Sequence, residues 1–242
     1  MTWLLVAIVA LALATEAAVG FGATLIALSL GSLVTSIDAM LPVLVPVNLA
    51  LSTAIVARAP RAVSVRLLAR RVLPAMVVGF PVGFLAFERL PRPALQLAFA
   101  AFVFVLAALE LWRMRARTAG GHPPSAPVSA ALLVVGGVAH GAFATGGPPV
   151  VYVCARTLPD KAAFRATLSA LWLVSNAALV VAYALAGHVT LSTLRASAAL
   201  LPGLAVGLVA GDLLYGRIPE RTFRVSVFVM LLVVAAVLAA RA

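Results

Sequence analysis

Two short stretches of this 242-residue chain set titratable and hydroxyl side chains beside glycines. One runs from Glu16 through Gly20 and Gly22 to Thr24, the other from His140 through Thr145 to Gly146 and Gly147. A carboxylate or imidazole six residues before such a glycine can relay a proton, or it can hydrogen-bond backbone that a helix break has left unpaired. The glycines themselves permit a break, and the N–H groups at the start of the next helix form an anion site. Pro148 and Pro149 lack N–H groups and suit the first turn of a helix restarting there, expected over 149 to 155. Asn48, Ser52 and Asn176 follow the breaks, where their side chains either complete a coordination shell or glue helices together at about 1 kcal/mol each. The candidate anion-binding set is therefore Gly20, Gly22, Thr24, Asn48, Ser52, Thr145, Gly146, Gly147 and Asn176, with Glu16 and His140 as candidates for proton coupling. The competing reading of the glycines is close helix packing alone.

The elements that must position these residues are apolar. Hydrophobic residues make up 64% of the chain and charged ones 10%, against roughly 25% charged in soluble domains. Apolar runs over 2–37, 39–57, 67–87, 93–112, 127–155, 163–186, 196–214 and 222–240 have the length a bilayer helix needs. An all-α, polytopic integral membrane protein is expected, with the lipid bilayer as its surroundings. Ala12-Leu13-Ala14 resembles a cleavage site, but no Lys or Arg precedes it and the apolar run continues beyond it, so an export signal is not read there. The eighteen basic residues lie in short connections beside apolar spans; they read as a membrane-orientation bias and not as a nucleic-acid surface.

The chain also repeats. An offset of 124 residues sets His140 on Glu16, Gly146 on Gly22 and Asn176 on Ser52. After four inserted residues, an offset of 128 sets Pro202 on Pro74, Gly207 on Gly79, Gly211 on Gly83 and Pro219 on Pro91. A lone Gly-x-x-x-Gly in a membrane helix signals only packing; its recurrence between prolines in register signals duplication. Two halves follow, 1–112 and 127–242, joined by a polar Gly/Pro/Ser-rich linker over 113–126.

Arginine placement orients them. If every apolar run crosses once, the basic residues divide ten against eight between the two faces. If the first segment of each half breaks at its glycines and re-enters or crosses twice, the stretches 58–71, 113–126, 156–165 and 217–224 share one face and hold fourteen of the eighteen. That asymmetry is what the positive-inside rule expects. The halves are then inverted-topology repeats, each beginning with a Gly-broken or re-entrant helix, with the linker cytoplasmic and both termini outside. Such repeats place their binding site near the midplane, where the breaks meet. Two half-helix N-termini would then cradle a small anion with no fixed positive side chain.

The glycine-rich break followed by "PPVVYVCARTLPDKAAFRATLSALWLVSN", its first-half counterpart "VGFGATLIAL" and the repeated Gly-x-x-x-Gly helix resemble the TauE/SafE family of sulfite exporters and related anion permeases. The resemblance covers nearly the whole chain and is closer in the second half; the first half has a shorter glycine run, Gly20-Phe21-Gly22-Ala23, than the family often carries. It implies a secondary transporter of the bacterial inner membrane, exporting sulfite or a related sulfur-containing anion, with protons or sodium as possible coupling ions. The alternatives are a facilitator or importer of another small organic anion, and a non-transporting membrane assembly factor.

No enzyme is expected, because the three His are isolated and no His-Glu-x-x-His spacing occurs. No ATP-binding Gly-x-x-x-x-Gly-Lys-Ser is present, and no cofactor or metal is called for. The single Cys154 excludes an internal disulfide and is read as a small buried hydrophobe. Asp38, Glu88, Glu110 and Glu220 are expected to be solvated at span ends, and His122 and His188 to face water in loops. Asp212, directly after Gly211, has no such simple reading. If the topology is right, a reporter fused after Ala242 is active only outside the cytoplasm and one inserted near Gly120 only inside. Activity of both on the same face would refute it.

Overall fold

The computed structural model describes residues 3–115, 124–158, 160–214 and 229–240, less 230 and 234, and no strand occurs among them. The helices are α1 (Trp3–Val19), α2 (Ala23–Gly31), α3 (Ile37–Arg58), α4 (Val65–Leu67), α5 (Leu73–Arg89), α6 (Arg92–Arg115), α7 (Ala126–Phe143), α8 (Gly147–Thr157), α9 (Lys161–Leu185), α10 (Leu191–Ala199) and α11 (Leu201–Leu214). A π-helical turn, Leu68–Val72, joins α4 to α5 just ahead of Pro74. Among the described residues, six apolar helical stretches are long enough to cross a bilayer: Ile37–Arg58, Val65–Arg89, Arg92–Leu109, Ala126–Phe143, Lys161–Leu185 and Leu191–Leu214. Trp3–Val19 and Leu231–Ala240 are shorter apolar helices. The chain is a multi-pass, all-helical membrane protein. Its outward faces agree, since Val77, Val78, Val82, Leu85, Val181, Val206 and Val209 are exposed, as expected of surface solvated by lipid.

The apolar run over 2–37 contains α1 and α2, with Gly20–Gly22 between them, and the run over 127–155 contains α7 and α8, with Ala144–Gly146 between them. Helix α8 begins at Gly147, two residues ahead of the expected restart at 149. Of the linker over 113–126, residues 116–123 lie outside the described residues, as do His122, Glu220 and most of the start of the run over 222–240.

Close packing is concentrated on glycines. Helix α5 lies against α7, where a Cβ added at Gly79 would overlap the Val134 carbonyl oxygen and one at Gly83 the Val138 carbonyl oxygen. From the other side, Gly137 meets the backbone of Met76, and Gly141 that of Phe80. Helix α11 lies against α1 in the corresponding way: a Cβ at Gly207 would come within 3.0 Å of the Ala10 carbonyl oxygen, and one at Gly211 within 2.7 Å of that of Ala14. In hydrocarbon, where burying apolar surface earns little, association rests on such backbone-to-backbone van der Waals contact. The two opening helices, α1 and α7, are thereby each clamped by a Gly-x-x-x-Gly helix from the opposite half of the chain.

At the ends of the long helices the acidic residues are paired. Asp38 meets Arg92 at 3.0 Å, Glu88 meets His188 at 2.6 Å, and Asp212 meets both Arg58 at 2.6 Å and Arg165 at 2.8 Å. Asp38, Glu88 and His188 remain partly exposed, and these contacts add a partner to each. Asp212 gains a role, tying the ends of α11 and α3 to the first turns of α9. The glycine contacts set a direct test: Gly83→Ala lowers stability in detergent by about 1–3 kcal/mol through overpacking, read as a lower thermal midpoint, whereas Val82→Ala on the exposed face leaves it nearly unchanged. Equal midpoints for the two variants would contradict this packing.

Candidate functional site

The first interruption is shaped by two glycines in the left-handed region, Gly20 at φ 94° and Gly22 at φ 105°. Gly20 closes α1 by donating its N–H to the Glu16 carbonyl at 2.6 Å. At the second interruption Ala144 takes the same role, with φ 51° and its N–H on the His140 carbonyl at 2.8 Å. Alanine in that region costs roughly 1–2 kcal/mol, so the surrounding packing must hold it there.

Breaking a helix frees backbone groups, and the protein pairs several of them through side chains. The Gly20 carbonyl accepts the Trp172 indole N–H at 2.9 Å. The Ala23 N–H, first of α2, donates to Glu16 Oε2 at 2.9 Å. Asn48, from α3, donates to the same oxygen at 3.2 Å and to Thr24 Oγ1 at 3.1 Å. Its carbonyl oxygen accepts from Ser52 at 3.3 Å and from Asn176 Nδ2 of α9 at 3.1 Å. Asn48 is thus the junction between α1, α2, α3 and α9, and all of these side chains are buried.

Between the two interruptions lies a small cavity. Glu16, Gly22, Thr24, Asn48, His140, Thr145, Gly146, Gly147 and Asn176 line it, together with Ala144 and Trp172. Nine of the eleven nominated residues therefore meet at one place. Gly20 and Ser52 do not line the cavity; Gly20 closes α1 and holds Trp172, while Ser52 supports Asn48 from behind. Cys154 packs among Leu67, Leu133, Val150 and Leu171 in a separate apolar cluster.

The electrostatics differ from the expected pair of bare helix N-termini. The start of α2 already carries a carboxylate, that of Glu16. The start of α8 has lost two donors to Pro148 and Pro149. What remains are the N–H groups of Thr145, Gly146 and Gly147, which hydrogen-bond to no group among the described residues. No Lys or Arg lines the cavity. Glu16 Oε1 and Asn176 Oδ1 are buried without a hydrogen-bond partner. Both ring nitrogens of His140 also lack a well-formed hydrogen bond, the Ser175 backbone approaching the ring only loosely. The ring stacks on Trp172, with centroids 5.7 Å apart and planes 14° apart. Buried polar atoms without partners are costly, and several of them belong to residues that line this one cavity.

Trp172 and Ala144 were not nominated from sequence. The 124-residue offset held the signal, since it sets Trp172 opposite Asn48 and Ala144 opposite Gly20. Among the described residues no group of three or more His, Cys, Asp or Glu is placed to hold a metal.

The family model described as "Sulfite exporter TauE/SafE" matches residues 5–238 of the chain. No curated protein and no solved structure matches it.

The Asn48 junction sets a measurable expectation. Asn48→Ala lowers stability by about 2 kcal/mol because it strips hydrogen bonds from buried partners. Asn176→Ala then costs less in that background than it does alone. Additive losses in denaturant unfolding would show that the two side chains act independently.

Proposed function

The chain belongs to the sulfite exporter TauE/SafE family, and on that premise we propose that it is a secondary transporter, in the export direction, for sulfite or a related small sulfur-containing anion. The observation that carries the reading is the cavity between the two helix interruptions, walled by unpaired amides, hydroxyls and carboxamides, with no fixed cation. Neutral donors suit transport, because a buried guanidinium would hold an anion tightly and slow its release, whereas amides and hydroxyls bind it and let it go. The substrate-contacting residues are proposed to be Gly22, Thr24, Asn48, Thr145, Gly146, Gly147 and Asn176, with Gly20 and Ser52 in support. Glu16 and His140 are the titratable groups on the cavity wall and are proposed to carry proton coupling.

The architecture proposed with this function is a pair of inverted repeats, 1–112 and 127–242, joined by a cytoplasmic linker over 113–126, in the inner membrane, with both termini outside. Reciprocal packing supports it. Gly79 and Gly83 of the first half clamp the opening helix of the second, and Gly207 and Gly211 of the second half clamp that of the first. The polar contacts follow the same reciprocity: Asp212 on α11 reaches Arg58 at the end of α3, while Glu88 on α5 reaches His188 just beyond the end of α9. Repeats that exchange contacts in this way can rock against one another about a fixed central site, which is the alternating-access motion.

Purified protein in liposomes is expected to pass radiolabelled sulfite. Gly146→Leu is expected to reduce the flux at least tenfold, since even a Cβ there would overlap the Gly136 carbonyl oxygen and displace the break that lines the cavity. Val82→Ala, on the exposed face, retains it. Wild-type rates in both Gly146→Leu and Gly147→Leu, with the variants folded, would remove the site.

A further inference from the structure

The cavity's hydrogen-bonding inventory is lopsided in one respect. Most of what an anion would meet donates: the amides of Thr145, Gly146 and Gly147 and the hydroxyls of Thr24 and Thr145. Glu16 stands among these donors as an acceptor. Its Oε2 accepts from the Ala23 N–H and from Asn48, its Oε1 is buried without a partner, and the residue lines the cavity. An oxyanion bound against Glu16 Oε1 places two anionic oxygens at hydrogen-bond range, out of water. Two such groups share one proton, as paired carboxylates do, because both cannot be ionised at contact.

We infer that the site binds its anion together with one proton held between the anion and Glu16 Oε1, so that the transported class is a hydrogen-oxyanion such as hydrogen sulfite. This rests on the anion-site reading of the cavity. The balance is simple. A dianion and one proton enter from solution, no bond to sulfur forms or breaks, and an O–H···O bridge forms to Glu16. Whether the proton is drawn on the anion or on the carboxyl, the occupied site has gained the same atoms and one negative charge.

The neighbouring groups leave Glu16 as the acceptor for that proton. His140 faces the cavity from α7 and offers ring nitrogens. Helix α2 carries no titratable side chain. Helix α3 carries Asp38 and Arg58 at its two ends, and α11 carries Asp212, which is paired with Arg58 and Arg165. Arg165 and Lys161 lie in the first turns of α9, with the Arg165 backbone beneath Gly20. None of these cations lines the cavity, so no fixed positive charge replaces the proton. Oε2, anchored to Ala23 and Asn48, holds the carboxyl in place while Oε1 takes part in the bridge.

The same geometry says what a carboxamide would do. In Glu16→Gln the amide oxygen accepts from Ala23 and Asn48, which turns the NH2 toward the cavity. The variant then presents a donor where the wild type presents an acceptor, and it binds the unprotonated dianion.

The test is calorimetry of the full chain in detergent with sulfite, without oxygen, at a pH where free sulfite is the dianion, in buffers of differing ionisation enthalpy. Wild type is expected to take up about one proton per anion bound, so that its Kd weakens about tenfold per pH unit. Glu16→Gln is expected to bind sulfite with no proton uptake and a flat Kd, while Val82→Ala, on the exposed face, keeps the wild-type uptake. Wild-type binding without proton uptake overturns this inference and leaves the anion site standing, a result that does not depend on any variant folding. Uptake retained in Glu16→Gln overturns the assignment to Glu16. Absence of sulfite binding to the wild type, with folded protein, overturns the site reading and this inference with it.

Discussion

A backbone amide that leaves its helix inside a bilayer has no water to turn to, and every feature of the central cavity follows from that constraint. The chain departs from helix between Val19 and Ala23 and again between Phe143 and Gly147. Part of the freed backbone is paired by the protein itself: the Gly20 carbonyl by Trp172, the Ala23 amide by Glu16, and the Gly20 and Ala144 amides by the carbonyls of Glu16 and His140. The amides of Thr145, Gly146 and Gly147 are left over, beside unpaired oxygens of Glu16 and Asn176. A membrane protein tolerates such a residue of unmet hydrogen bonds where a polar guest is meant to meet them.

Holding two interruptions side by side requires rigid neighbours, and glycine supplies the rigidity. With no Cβ at Gly79, Gly83, Gly137 and Gly141, α5 and α7 touch backbone to backbone, and α1 and α11 do so through Gly207 and Gly211. Close approach maximises dispersion contact, the main attraction left between helices in lipid. Helices α3 and α9 then cross beneath the gaps and meet at Asn48 and Asn176, so that one carboxamide reaches Glu16, Thr24, Ser52 and Asn176 together.

Much of this was legible in the sequence, for physical reasons that differ by residue. Gly20 and Gly22 could be read because positive φ leaves few alternatives to glycine, and Asn48 and Asn176 because a carboxamide is conspicuous in an apolar helix. The helical, membrane-spanning class followed from run lengths alone. Trp172 was hidden, since an indole inside a greasy helix looks the same whether it fills a core or donates its N–H to a broken backbone. Ala144 was hidden more deeply, because alanine is a helix former and its left-handed turn is imposed by packing. The Glu16 contact with Ala23 spans seven residues and exists only once the chain has doubled back; of the two roles the sequence offers for Glu16, hydrogen-bonding to the broken backbone is the one this contact fills, and it takes a donor from the start of α2. The two prolines of α8 were noticed as helix starters, yet their cost in N–H donors was the larger effect.

The central claim is that the anion rests between the Gly146–Gly147 amides and Glu16. Selenite, the selenium analogue of sulfite, makes this directly visible through anomalous scattering from selenite-soaked crystals of the full chain. The account predicts one dominant selenium peak inside the cavity, within hydrogen-bond reach of Gly147 N–H and Glu16 Oε1. A peak at the arginine-rich ends of the helices with none in the cavity, at a selenite concentration that saturates binding in solution, would contradict it.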